Sequence, residues 1–129
     1  MDLPKTTSFQ KLLIYQKAKS LTLFVYQLTK KLPKEEMYVL VPQMRRSAIS
    51  VMANIGEGYA KNSTKEFIRF INISIGSLIE LEIYADLIIE LEYINNEESR
   101  KFHQFIEEMK KLLYSTRYTL GRRVIKARG

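Results

Sequence analysis

Between Phe67 and Ile88 the chain returns to an apolar or small residue at alternating steps of four and three: Phe67, Ile71, Ser74, Leu78, Leu81, Ala85 and Ile88. That spacing keeps the side chains on one stripe of an α-helix and scatters them over both faces of a strand. Isoleucine is abundant here and favours strands, but the unbroken period outweighs residue preference. The remaining faces of the segment carry Ile68, Phe70, Ile73, Ile79, Ile83 and Leu87 among others, so the helix is apolar almost all round. Such a helix must be covered on more than one side, whereas a four-helix monomer covers about half of each helix. The sequence therefore predicts a subunit interface here, with a thicker monomer core as the competing explanation.

Three more seams share the period. Ile14, Ala18, Leu21, Val25, Leu28 and Leu32 form the first, opened by a Thr7-x-x-Gln10 capping box and closed by Pro33, with Lys30 and Lys31 placed to complement the carbonyl end of the helix dipole. Val41, Met44, Ala48, Val51, Ile55 and Gly58 form the second, with Pro42 in its first turn and Gly58 expected at its C-terminus. Ser47, Ser50 and Ala53 keep this helix slim enough for close approach of a neighbour. Ser63-x-x-Glu66 caps the third helix and Asn95-x-x-Glu98 the fourth, whose seam is Phe102, Ile106, Met109, Leu113, Thr116 and Leu120. Gly121 then allows a stop, and residues 121–129 read as a basic tail, disordered on its own. The expected helices run about 8–32, 41–59, 64–93 and 96–120. Short connectors make the chain one domain over residues 1–129, an all-α antiparallel up-down-up-down four-helix bundle.

Composition removes several function classes. The absence of cysteine excludes disulfides, thiolate metal sites and thiol catalysis. No signal core or membrane-length apolar run is present, so the sequence predicts a soluble, cytoplasmic chain without membrane contact, and its two glycosylation sequons are chance matches. The net charge of +7 is unevenly spread. Residues 1–79 hold 12 Lys/Arg against 5 Asp/Glu, residues 80–98 none against 7, and residues 99–129 nine against 2. A basic excess of this kind attracts polyanionic or acidic partners, unless the charges are simply solvated helix faces.

Catalytic chemistry finds little support. The single histidine, His103, has Arg100 three residues before it, so the paired Glu-x-x-His of di-iron bundles is absent, and His103 with Glu107 supplies too few ligands for a metal. Gly56-Glu57-Gly58 lacks the preceding strand and the third glycine of a phosphate loop, since Lys61 stands there; the alternative is a helix terminus needing positive φ and close packing. Glu57 lies at the unfavourable end of the helix dipole and calls for a cation from another helix or subunit. No cofactor, metal site or enzymatic activity is expected.

The run from Leu40 to Glu82 resembles the 23S rRNA intervening sequence proteins, also called S23 ribosomal proteins. The pattern is carried by Gln43, Arg45, Arg46, Ser50, Asn54, Ile55, Glu57, Gly58, Glu66, Phe67, Gly76, Ser77 and Glu80. Val51-Met52 replace the common Ile-Pro, Gly56 the usual alanine, and Ala60 a frequent Gly or Ser. The resemblance implies a four-helix bundle that assembles as a homo-oligomer, with a pentameric ring favoured. It also implies kinship with the accessory variability protein of diversity-generating retroelements, a basic pentamer that binds nucleic acid beside a reverse transcriptase.

Two functions follow as expectations. In the first, Lys11, Lys17, Lys19, Arg45, Arg46, Arg122, Arg123, Lys126 and Arg128 form a multivalent surface that binds RNA or DNA without sequence preference. In the second, the oligomer is a scaffold that docks an acidic partner, such as a nucleic-acid-processing protein, without touching nucleic acid itself. Arg45, Arg46, Asn54, Glu57, Glu66, Glu80 and Glu82 are expected to form a polar network within or between subunits, with arginine favoured for its planar fork.

Overall fold

The computed structural model describes residues 8–128. Four helices account for most of them: α1 (Leu13–Thr29), α2 (Leu40–Ala60), α3 (Thr64–Glu90) and α4 (Asn96–Arg128). One-turn 3-10 helices at Phe9–Lys11 and Lys34–Glu36 precede α1 and α2. Each helix packs on the next in sequence, α2 on α3 most extensively, and α1 against α4 closes the ring more thinly. This is an antiparallel up-down-up-down bundle.

The core is what the four periodic stripes dictate. Every seam position is buried except Val41 and Thr116, which are half-buried. Burial beyond the stripes includes Ser47, Tyr59, Phe70 and Ile75 of α2 and α3, and Gly56, which faces Phe9 and Tyr15. This additional layer covers only part of the all-round apolar surface of α3. Ile73, Ile79, Ile83 and Leu87 remain 41–61% exposed along its outer face.

The α2–α3 contact is close because its side chains are small and its polar atoms are satisfied across the seam. Ser74 Oγ donates to the Val51 carbonyl at 2.9 Å, and the Ser50 and Ser77 hydroxyls meet at 2.7 Å. On the other side of α2, Thr22 Oγ1 of α1 donates to the Ala48 carbonyl. At Gly58 the two helices pass closely: a β-carbon there would lie 2.6 Å from Phe70 Cβ and 3.0 Å from Phe67 Cδ1.

The helix ends depart from sequence expectation in several places, α3 among them, which ends at Glu90 and not near residue 93. Helix α1 begins at Leu13 after the 3-10 turn, without a side-chain cap, and Thr7 of the expected capping box lies outside the described residues. Its last α-helical residue is Thr29, and a 3-10 pattern, Lys31 N–H to Leu28 O and Leu32 N–H to Thr29 O, carries the chain to Pro33. Gly58 is not a left-handed terminus: α2 continues to Ala60, no described glycine has positive φ, and Asn62 takes that role at φ 56°. Asparagine tolerates this conformation better than most residues because its short polar side chain can hydrogen-bond locally, which offsets the steric cost of its β-carbon. Finally, Gly121 does not stop α4, which continues in regular helix to Arg128. Residues 122–128 are thus an extension of α4 and not a disordered tail.

Two caps are formed as their spacing predicts. Asn95 Oδ1 accepts from the Glu98 N–H at 2.8 Å while Glu98 Oε1 accepts from the Asn95 N–H at 2.9 Å, a complete capping box. Ser63 Oγ accepts from the Glu66 N–H, but the Glu66 carboxylate turns to Arg69 instead.

Candidate nucleic-acid interface

Up-down-up-down connectivity brings the end of α2, the start of α3 and the end of α4 to the same end of the bundle. The bond from Arg117 Nη1 to Asn72 Oδ1 at 3.0 Å ties α4 to the first half of α3. Phe9, in the 3-10 turn before α1, reaches the end of α2, where its ring lies 3.3 Å from the space a β-carbon on Gly56 would take. This end carries Lys61, the residue after α2, Lys65 and Arg69 from α3, and Lys11 from the leading turn. Helix α4 adds Arg117, Arg122, Arg123, Lys126 and Arg128, with no acid after Glu108. Only Glu57 and Glu66 oppose them along these segments, and Glu66 is engaged by Arg69 at 3.1 Å. That hydrogen bond holds the Glu66 carboxyl below its ordinary pKa and raises the Arg69 guanidinium.

The opposite end is of mixed charge: Glu35, Glu36, Glu90, Glu92, Glu97 and Glu98 lie there with Lys30, Lys31, Lys34, Arg100 and Lys101. Lys31 donates to Glu98, whose pKa is lowered first by that bond and then by the Asn95 backbone N–H. Tyr93 donates its hydroxyl to Glu36 Oε2 at 2.8 Å, which holds the phenol above its ordinary pKa. Midway along the bundle, Lys110 lies between Glu82 at 2.7 Å and Glu107 at 3.3 Å; its pKa is raised chiefly by the Glu82 bond.

The residues expected to contact phosphate are therefore divided. Lys11, Arg122, Arg123, Lys126 and Arg128 belong to the basic end and are exposed. Lys19 is exposed on α1, while Lys17 pairs with Glu108 at 3.4 Å. Arg45 is half-buried: its Nε donates to Thr29 Oγ1 at 2.9 Å, and its guanidinium carbon stacks 4.5 Å above the Tyr26 ring. It thereby places a cation at the carbonyl end of α1. Arg46 is exposed and donates to Gln43. Lys61, Lys65, Arg69 and Arg117 were missed from the sequence because each is isolated along the chain; laying the four seams antiparallel would have brought them together.

The expected polar network takes a different form within the chain. None of Arg45, Arg46, Glu57, Glu66, Glu80 and Glu82 pairs with another member of that set among the described residues. Glu80 instead accepts from Ser47 Oγ at 2.8 Å and Tyr84 OH at 3.1 Å, because the residue facing it on α2 is a serine and not an arginine. Asn54 donates to the Ser50 carbonyl one turn back. Glu57 is exposed and has no partner among the described residues.

No group of three or more His, Asp or Glu side chains among the described residues is arranged to hold a metal ion. No described helix is long and apolar enough to cross a membrane.

Comparison with known proteins agrees with this architecture. A crystal structure of a protein of unknown function from the S23 ribosomal protein family of Bacteroides thetaiotaomicron superimposes with a TM-score of 0.75 at 29% identity, covering 81% of this chain and 98% of the other. No curated protein sequence matches. The profile of the 23S rRNA-intervening sequence proteins matches residues 10–115, nearly the whole bundle. The chain belongs to the 23S rRNA-intervening sequence protein family.

Proposed function

We propose that this protein is a non-enzymatic homo-oligomer that binds nucleic acid through the basic end of its bundle. The observation that carries the reading is the convergence of cations from the leading turn, the end of α2, α3 and α4 on that end, where Glu57 and Glu66 are the only described acids along the same segments. Cations on a polyanion release condensed counterions, so such binding is strong at low salt and indifferent to sequence. The five cations from Arg117 to Arg128 alone, if each meets a phosphate, predict an affinity loss of about 10²–10³-fold between 50 and 200 mM salt. Fluorescence anisotropy with labelled RNA and DNA across a salt series tests this. Affinity that does not fall with salt defeats it.

Assembly is supported by the outer face of α3. Ile73, Ile79, Ile83 and Leu87 line that face, and a β-carbon added at Gly76 among them would meet nothing within 4 Å. An exposed mid-helix glycine costs about 1 kcal/mol relative to alanine, a cost explained when another helix crosses there closely. A second copy of the chain is the proposed occupant, in a ring for which the family resemblance makes five the expected number. Light scattering of Ile83→Glu should show a smaller particle than the wild type.

In the scaffold reading the same basic surface docks an acidic protein partner in place of nucleic acid, and the acidic block from Glu80 to Glu98 meets a basic surface of the neighbouring subunit. Co-purification of a protein partner that survives nuclease treatment would favour it.

A further inference from the structure

The outward face of α4 beyond Lys110 is neither simply basic nor simply apolar. Opposite the buried seam of Met109, Leu113 and Leu120, the helical period places Lys111, Tyr114, Tyr118, Arg122, Ile125 and Lys126 on one stripe. The tyrosines are 41% and 66% exposed and Ile125 71% exposed, although no core element requires them there. Each ring has a guanidinium beside it: Arg117 lies 5.1 Å from the Tyr114 centroid, and Arg122 lies 5.9 Å from that of Tyr118. Arg122 Nη1 also approaches the Tyr118 hydroxyl at 3.5 Å. The rings are thus held in orientation by neighbouring cations while retaining open surface.

From this juxtaposition we infer that the α4 stripe is a stacking platform for the unpaired bases of a single-stranded nucleic acid, RNA or DNA. The inference rests on the nucleic-acid reading proposed above and deepens it. A duplex needs only cations from its partner, because its bases already stack on one another. A single strand offers bare π-faces, and exposed aromatics interleaved with cations bind it by stacking and by phosphate contact together. One helical turn separates Tyr114 from Tyr118 by ~6 Å, close to two base-stacking layers of ~3.4 Å each. A strand running along the helix therefore meets one ring at about every second base. The acid-free sequence from Met109 to Arg128 selects a polyanion.

The test uses the full chain and four fluorescent probes of equal length: oligo(dT), oligo(U), an abasic strand and a DNA duplex. The platform predicts that both base-bearing strands bind about tenfold or more tightly than the abasic strand. Tyr118→Ala should reduce that preference and the Tyr114→Ala/Tyr118→Ala double variant should bring both strands down to the abasic level, while Tyr118→Phe, which keeps the ring, retains the preference. Equal binding of all four probes overturns the stacking platform and leaves nucleic-acid binding intact; binding of none overturns both. Unlabelled polyglutamate that competes as well as oligo(dT) overturns it in favour of an acidic protein. A fall in oligomer mass on Tyr118→Ala overturns it in favour of a subunit contact.

Discussion

The two sides of this bundle are held together by different means. Between α2 and α3 the helices are drawn close by serines, one bonded to a backbone carbonyl and two to each other, and by Gly58, which leaves no space for an added methyl group. Between α1 and α4 the contact is thinner and built from larger, more adaptable parts: Phe24 against Phe102 and Phe105, at 5.5 and 5.0 Å, and two ion pairs, Lys17–Glu108 and Lys31–Glu98. One seam depends on shape and the other on area and charge. The first should fail sharply when altered, and the second gradually.

The largest effect is expected at Gly58. Gly58→Ala adds a methyl group against the fixed Cβ of Phe70, and overpacking of this kind costs about 1–3 kcal/mol, which exceeds the gain of up to about 1 kcal/mol in helix propensity. Thermal unfolding should show a melting temperature lower by several degrees. An unchanged value would mean that the two seams do not differ in tolerance.

On the looser side, the strongest local device is the cap of α4. Asn95→Ala should cost about 1 kcal/mol by urea titration, since it leaves the Glu98 N–H without its acceptor. Glu98 adds a pH signature. Its folded pKa lies below the ordinary 4.5, so its contribution is present above that value and is lost as pH falls through it toward the folded value. Glu98→Gln should therefore flatten the decline in stability below about pH 4.5, with little difference between the proteins at the acid limit. A decline as steep in the variant as in the wild type would remove Glu98 from the acid response.

Smaller still is Gly121→Ala, where an added β-carbon meets nothing and helix propensity should gain up to about 1 kcal/mol. Differential scanning calorimetry should show a modest rise, with opposite sign to Gly58→Ala. The smallest change is expected from Lys17→Ala. Both partners of this ion pair are at least 40% exposed, so its loss should cost no more than about 0.5 kcal/mol and should vanish in high salt.

The fold was readable because its four apolar stripes are nearly free of exceptions, and only Val41 and Thr116 fall short of full burial. The helix ends were less readable, since glycine has two structural uses that look alike in a sequence. Gly58 was expected to supply both a left-handed φ and close packing; it serves only the packing, and Asn62 makes the turn. Gly121 was expected to stop a helix, but α4 continues through it. The candidate site was half legible for a related reason. The basic run at the end of α4 is contiguous in sequence, whereas Lys61, Lys65 and Arg69 join it only through the antiparallel fold. Arg45 went the other way, since nothing in its sequence neighbours discloses that Thr29 and the Tyr26 ring receive it.

The length of α4 has a consequence for assembly. At 33 residues it spans ~50 Å, against ~40 Å for the 27 residues of α3. In a symmetric oligomer every copy would bring its five terminal cations to the same rim, and the rims would repel one another. A polyanion laid across them would lower that repulsion, and by reciprocity the assembly would hold the polyanion more tightly than separate subunits could. Subunit number and ligand affinity would then be two readings of one coupled equilibrium, both governed by salt.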